Sequence, residues 1–451
     1  MGKAIDKLKD IKIVKTFTNI WRVEDLRSRI LITLLFVAIY RFGSYVVLPG
    51  IDTEALQGLR NQTEGGLMSL LDMFSGGAFS KASIFGLGIM PYISASIVMQ
   101  LLGIAVPYFQ KMQREGESGR RKMNQYTRYL TVAILLFQGP IYLLNLQQTT
   151  GGSALYSSLD WNMFFITGTI ILAAGSMFVL WLGERITDKG IGNGVSMIIM
   201  IGIIARFPTA VIQEYASRLG GQGGLVVFLV EIVVFLAVIG AAILLVQGVR
   251  QIPVNYAKRI AGARQIGGAR QYIPLKPYAA NVMPIIFAQA IMFVPATVAQ
   301  FVSGGKLSPV MSQLIDNSSF IYNLIFAVLI VLFTYLYTAI TINPTQMAED
   351  MKRNNGFIPG VKPGKDTADY IDNIMSRITF PGSLFLAVIA ILPAFAGLFG
   401  MQREFAAFFG GTSLLILVGV VLDTLQQIES HLMMRHYDGL LDTGRVRGEH
   451  A

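Results

Sequence analysis

No cysteine occurs anywhere in the chain, which rules out a disulfide framework, thiolate chemistry and cysteine-ligated metal. Histidine is nearly absent too: His431, His436 and His450 fall together near the end, too scattered for a metal centre. Charge is scarce. Only 14% of the 451 residues are Asp, Glu, Lys or Arg, far below the roughly 25% of an ordinary soluble domain. Catalytic signatures are missing as well, with no Walker lysine motif, kinase set, metal-binding helix motif or serine–histidine arrangement. The stretch "GIGNGVS" (190–196) has the glycine count of a phosphate loop. It follows an apolar span rather than a strand, so its glycines suit a tight turn between two spans. No catalytic residue, metal or cofactor is expected, and the chain does not read as an enzyme.

What fills the sequence is apolar residues, 53% of the total. Runs of span length recur at 30–48, 89–106, 129–146, 163–182, 195–213, 225–247, 283–302, 321–342, 378–398 and 408–425. Each is long enough to cross a hydrocarbon core of about 30 Å. Lys and Arg cluster before the first run, between the second and third, and in the loops after the sixth and eighth; the alternate loops are poor in them. By the positive-inside rule both termini are cytoplasmic. The expected fold class is therefore an all-α polytopic membrane protein with ten transmembrane helices. Five spans per half, an odd number, place the halves in opposite orientations. The expected organisation is a cytoplasmic amphipathic segment 1–29, inverted halves 30–222 and 223–425, and a cytoplasmic tail 426–451. The net charge of +10 reads as topology and as attraction to anionic lipids.

Two cytoplasmic loops, 248–280 and 343–377, are long, basic and punctuated by Pro253, Pro274, Pro277, Pro344, Pro359 and Pro363. Two such loops on one face suggest a docking platform for a large cytosolic partner. The stretch Leu67–Phe85 is apolar but broken by Gly76 and Gly77, and it carries Lys81. It cannot span, and irregular backbone at membrane depth must be covered by protein or line a wet cavity. A short hinged lid in front of a full span is the expected arrangement. Ile89 and Ile93 share one face of that span.

Charges inside the spans are few. Glu231 lies a turn or two from the outer end of the sixth run, close enough to reach water; Asp423 and Arg206 lie near span ends, and Glu184 and Arg185 flank a loop. None makes a midplane ion relay, which counts against a secondary solute transporter, the rival reading that a ten-span inverted architecture permits. A scaffold or receptor without a pore would leave the glycine-broken segment unexplained.

Several blocks in order along the chain resemble the SecY family, the central subunit of the bacterial protein-conducting channel. They include "MFSGGAFSKASIFGLGIMPYISASIVMQLL", "QREGESGRRKMNQYTRYLT", "WLGERITDKGIGNGVSMII", "IPVNYAKR", "NVMPIIFAQAIMFVPATVA", "GFIPGVKPGKDTADYID" and "FGGTSLLILVGVVLDTLQQIES". The resemblance implies a central hourglass pore whose outer funnel is closed by a plug at 67–81, with Asp72, Met73, Phe74, Ser75, Gly76, Gly77, Ala78 and Phe79 at its heart. It implies a pore ring of Ile89, Ile93, Ile199, Ile286 and Ile416. A greasy, β-branched constriction wets poorly yet deforms around a passing chain. The implied lateral gate uses Ser94, Ser96 and Gln100 on span 2 with Phe287, Gln289 and Phe293 on span 7; Asn193 matches a polar position near the pore. The platform loops become docking sites for the ribosome and the SecA motor, through Arg250, Lys258, Arg259, Lys276 and Lys362. Lys362 stands where arginine is usual in the family, and Gln251 where a second base is common. Small subunits resembling SecE and SecG, signal sequences and nascent chains complete the implied partners, and the bacterial cytoplasmic membrane is the implied location.

Overall fold

The computed structural model describes residues 21, 23–53, 56, 72–150, 155, 160–221, 223–256, 259–261, 264–266, 270–276, 283–289, 291–292, 313 and 319–443. The chain forms two compact units, Met1–Arg206 with Val420–Ala451, and Phe207–Gly419. Among the described residues seven helices are long and apolar enough to cross a membrane, or eight if one bent pair is a single span. The protein is thus a predominantly helical, multi-pass membrane protein.

The first unit contains α1 (Glu24–Gly43), α2 (Met90–Ala105), α3 (Pro107–Arg114), α4 (Glu117–Thr150) and α5 (Trp161–Lys189). Helix α6 (Gly194–Leu219) begins there and ends in the second unit. α4 packs between α2 and α5, and α5 also packs on α1. The packing face of α5 is legible in its buried residues Phe164, Gly168, Leu172, Gly175, Val179, Leu182 and Ile186. They recur every three or four positions, the spacing of one helical stripe. α2 and α3 are the bent pair, meeting at 100°. The break falls at Val106, whose extended backbone (φ −110°, ψ 119°) is the conformation a following proline enforces.

The second unit holds α7 (Gly224–Gln247), α8 (Phe320–Thr341), α9 (Pro344–Arg353), α10 (Lys365–Leu398) and the short α11 (Arg403–Ala406). α12 (Gly411–Thr443) starts in this unit and returns to the first. α10 packs against both α7 and α8. Apart from the buried Glu231, α7 is apolar, with Leu225, Val226, Leu229, Val230, Val233, Leu236 and Leu244 exposed, as a lipid-facing helix requires.

Sequence hydropathy reads 248–280 and 343–377 as loops; both are built structure. The first holds β1 (Arg250–Tyr256), β2 (Arg259–Ala261), β3 (Arg264–Ile266) and β4 (Arg270–Leu275). The second holds α9 and β5 (Gly356–Phe357), then the first turns of α10. β1 pairs antiparallel with β4 along one edge and with β5 at Asn255 and Tyr256 on the other, so the two segments share one sheet. Pro253 is tolerated in this central strand because β5 is too short to reach it. Asn343 caps α9 by accepting the Gln346 N–H at 3.2 Å, with Pro344 at the first helical position.

Alternation along β1 turns Ile252 and Val254 inward, where they join Leu275, Met351, Ile358, Ile371 and Met375 in one core. Burying each such side chain stabilises the platform by about 1.5–3 kcal/mol. Residues more than a hundred positions apart therefore fold as a single body. Val254 is fully buried, and Val254→Asp would place an unpaired carboxylate there at a cost of several kcal/mol. Limited proteolysis of the membrane-embedded chain should then cut both 248–280 and 343–377, although the change lies in only one. Cleavage confined to the first would show that the shared core does not couple them.

Candidate functional site

The glycine-broken stretch ahead of α2 is irregular and fully packed. Only Asp72–Phe74 is helical among its described residues, followed by turns from Ser75 to Ile89. The part of the expected plug at 67–71 lies outside the described residues. All eight central residues, Asp72, Met73, Phe74, Ser75, Gly76, Gly77, Ala78 and Phe79, are buried. A buried turn leaves backbone carbonyls without ladder partners, so side chains of the surrounding helices must meet them. Tyr40 Oη on α1 donates to the Ser75 carbonyl at 3.1 Å, and Arg41 Nη1 to the Gly76 carbonyl at 3.0 Å. From α4, Tyr142 Oη donates to the Phe79 carbonyl at 2.8 Å.

Within the segment, Asp72 Oδ1 accepts the Ser80 N–H at 2.8 Å, and Ser75 Oγ accepts the Phe79 N–H at 3.0 Å. Asp72 Oδ2 lies 2.7 Å from Arg206 Nη1 on α6. Gly76 (φ +65°) sits so close to α6 that a Cβ there would come within 2.9 Å of the Gly202 Cα. Two glycines facing each other are what let the turn lie against the helix. Lys81 Nζ stands 3.6 Å above the Tyr45 ring. Beyond it the backbone is fixed: Leu48 N–H donates to the Ala82 carbonyl and Ile84 N–H to the Val46 carbonyl, each at 2.9 Å.

Directly after this segment, Ile89 is the N-cap residue of α2, and its carbonyl accepts the Ile93 N–H at 3.1 Å. Ile89, Ile93 and Ile199 belong to the first unit and are buried. Ile286 and Ile416 belong to the second, where Ile416 is buried and Ile286 half-buried. On α2, Ser94, Ser96 and Gln100 are half-buried, and Gln100 Nε2 donates to Ser96 Oγ at 3.3 Å. Phe287 packs edge-on against Phe333 and Tyr337 of α8, at 5.9 Å from each ring. Gln289 is buried, and its Oε1 meets no donor among the described residues. Phe293 lies outside the described residues. Asn193 is a local capping residue, its Oδ1 accepting the Ser196 N–H at the start of α6.

On the platform, Arg250 opens β1 and is exposed, Lys276 follows β4 and is half-buried, and Lys362 is exposed in the turn before α10. The Lys362 carbonyl accepts a bond from Thr367 Oγ1 at 2.8 Å, which holds that turn in place. Arg259 lies on β2, and Lys258 is outside the described residues.

Two sequence expectations need correction. Glu231 does not reach water: it is 3% exposed. Arg218 Nη2 lies 2.6 Å from it, while Arg218 Nε lies 2.8 Å from Glu214, which also accepts the Gln402 N–H. A carboxylate near the end of an apolar helix can be satisfied by a base on the neighbouring helix, here across the α6–α7 turn. Glu184 and Arg185 do not flank a loop but lie inside α5, with Glu184 paired to Arg128. The turn is Gly190–Asn193, where the glycine motif predicted one.

Sequence reasoning missed Tyr40, Arg41, Tyr142 and the role of Arg206. The available signals were Arg41 and Arg206, bases inside the apolar runs 30–48 and 195–213, which by default mark function.

Multiple apolar helices, a buried irregular segment seated before one of them, and a folded platform define a polytopic membrane protein. The sequence model of the SecY family matches residues 83–425. The "Protein translocase subunit SecY" of Corynebacterium glutamicum is 42% identical, over 92% of this chain and 97% of its own. That of Aquifex aeolicus is 41% identical, over 93% and 97%. A solved structure described as "The structure of a protein conducting channel" shares the fold, with TM-score 0.60 at 17% identity over 93% of this chain and 95% of that one. The chain belongs to the SecY family of translocase channel subunits, and it is not an enzyme.

Removing Arg218 would strand two buried carboxylates, a loss of about 3–5 kcal/mol for a buried pair. Arg218→Met should lower the melting temperature of the purified protein clearly more than Glu231→Gln does. Equal melting of the two variants would show that the network is not held by charge.

Proposed function

We propose that the chain forms the protein-conducting pore of a bacterial translocase, passing unfolded secretory proteins across the cytoplasmic membrane and releasing membrane-protein helices sideways into it. Its ten spans form two inverted halves, 30–222 and 223–425, around an hourglass pore, with both termini in the cytoplasm. Residues 67–81 are the plug, and Ile89, Ile93, Ile199, Ile286 and Ile416 form the constriction. Ser94, Ser96 and Gln100 of span 2 and Phe287, Gln289 and Phe293 of span 7 belong to the lateral gate.

The observation that carries this reading is the state of residues 72–79. They are buried, irregular beyond the short helical stretch Asp72–Phe74, and held by side-chain contacts to three helices beside their own turn bonds. Such an element is secured well enough to seal and weakly enough to leave. The isoleucines that follow at α2 supply a surface from which water withdraws. The solute-transporter alternative loses its best residue, since Glu231 is engaged by Arg218.

Partners follow from the same reading. SecE and SecG would brace the helices, and anionic lipids would meet the basic rim. The SecA motor and the ribosome would dock on the platform through Arg250, Lys258, Arg259, Lys276 and Lys362, whose charge suits RNA phosphates and acidic protein surfaces. Structural neighbours described as Sec61 in a canine ribosome–channel complex and as a yeast Ssh1 complex on the 80S ribosome lend this support, with TM-scores of 0.57 and 0.58. Lys362 keeps the charge of the family's usual arginine but not its bidentate fork.

The absence of native thiols makes the test clean. One cysteine at Ile93 and one in the mature part of a stalled secretory chain should crosslink on oxidation, and only when the signal sequence is intact. No crosslink at Ile93, with secretion still supported, would move the polypeptide path elsewhere.

A further inference from the structure

Beside the apolar packing of Phe79 on Tyr142, the polar contacts that seat residues 72–80 are of two kinds. Tyr40, Arg41 and Tyr142 donate to backbone carbonyls, which are neutral and which water can serve equally well once the segment moves. The contact to α6 is different. Asp72 is 1% exposed, and its carboxylate faces Arg206, whose side chain is 24% exposed. At 2.7 Å the guanidinium and the carboxylate form a close ion pair, with the Asp72 end withdrawn from water. The other carboxylate oxygen closes the segment on itself through the Ser80 N–H. One side chain thus joins the segment's internal fold to a neighbouring helix.

Arg206 stands one helical turn beyond Gly202, the residue against which Gly76 rests, so anchor and seat share a face of α6. Two positions later comes Pro208, inside the helix. It has no N–H for the Ile204 carbonyl, and α6 bends most readily there. We infer that Asp72 and Arg206 form an electrostatic latch that holds the plug closed and opens when α6 flexes beside Pro208. This deepens the channel reading and rests on residues 67–81 being a plug. The released segment stays tethered, because the backbone pairing of 82–84 with 46–48 does not involve the latch. Ala82, at φ +46°, marks the pivot.

A latch of this kind has a signature that simple packing lacks. Losing Arg206 alone leaves a buried carboxylate uncompensated, whereas losing both charges does not. The full-length chain, reconstituted in phosphatidylethanolamine–phosphatidylglycerol vesicles, would be tested for chloride leak by quenching of an enclosed dye. Deletion of 72–79 sets the unplugged level. Arg206→Gln should raise the leak by about tenfold. Asp72→Asn should raise it less, and the double variant no more than Asp72→Asn alone. If Arg206→Gln does not fold, a double variant that leaks no more than Asp72→Asn still supports the latch. Leaks that multiply in the double variant would overturn it, and so would single variants as tight as the parent while the deletion leaks. A deletion as tight as the parent would instead overturn the plug reading beneath it.

Discussion

Everything in the first unit follows from one constraint: backbone polar groups at membrane depth must find partners within the protein. Residues 75–89 leave regular helix and exchange the continuous internal ladder of a span for scattered turn bonds. Tyr40, Arg41 and Tyr142 supplement those turn bonds, each donating to a carbonyl of the turn. The facing glycines, Gly76 and Gly202, allow the close approach that makes such bonds possible. A segment secured this way has discrete contacts to lose, and so it can have two states instead of a continuum.

The second unit solves a different problem. Its extramembrane segments carry many like charges, which repel and would leave a bare loop extended. A small core of aliphatic side chains and Met residues overrides that repulsion, and the shared sheet fixes Arg250 and the turn around Lys362 on one body. The exposed bases are thereby presented on a rigid surface and not on a tether. The buried Glu214–Arg218–Glu231 group plays the corresponding structural part across the α6–α7 turn.

The apolar helices were largely legible in the sequence. The expected 225–247 and 321–342 became α7 and α8 within a residue at each end. Hydropathy fell short wherever a helix left the lipid. α4, α10 and α12 run far past 129–146, 378–398 and 408–425, because hydrogen-bond ladders continue in water while apolarity stops. The platform strands were hidden by prolines that read as loop punctuation, though Pro253 and Pro274 sit inside strands. Arg206 was visible as an anomaly, but nothing local points from it to Asp72. That pairing exists only because the chain folds back across α4 and α5.

α10 also has a mechanical consequence. Ile371 and Met375 in its early turns are part of the platform core, while the same helix packs on α8. The stretch from Lys365 to Pro381 is uninterrupted helix, about 24 Å long at 1.5 Å per residue. It is a lever arm with its handle outside the lipid. A rocking of the platform by roughly 10° displaces the far end by about 4 Å, most of a helical turn. A push on the sheet thus exerts leverage at membrane depth without anything touching the apolar helices themselves.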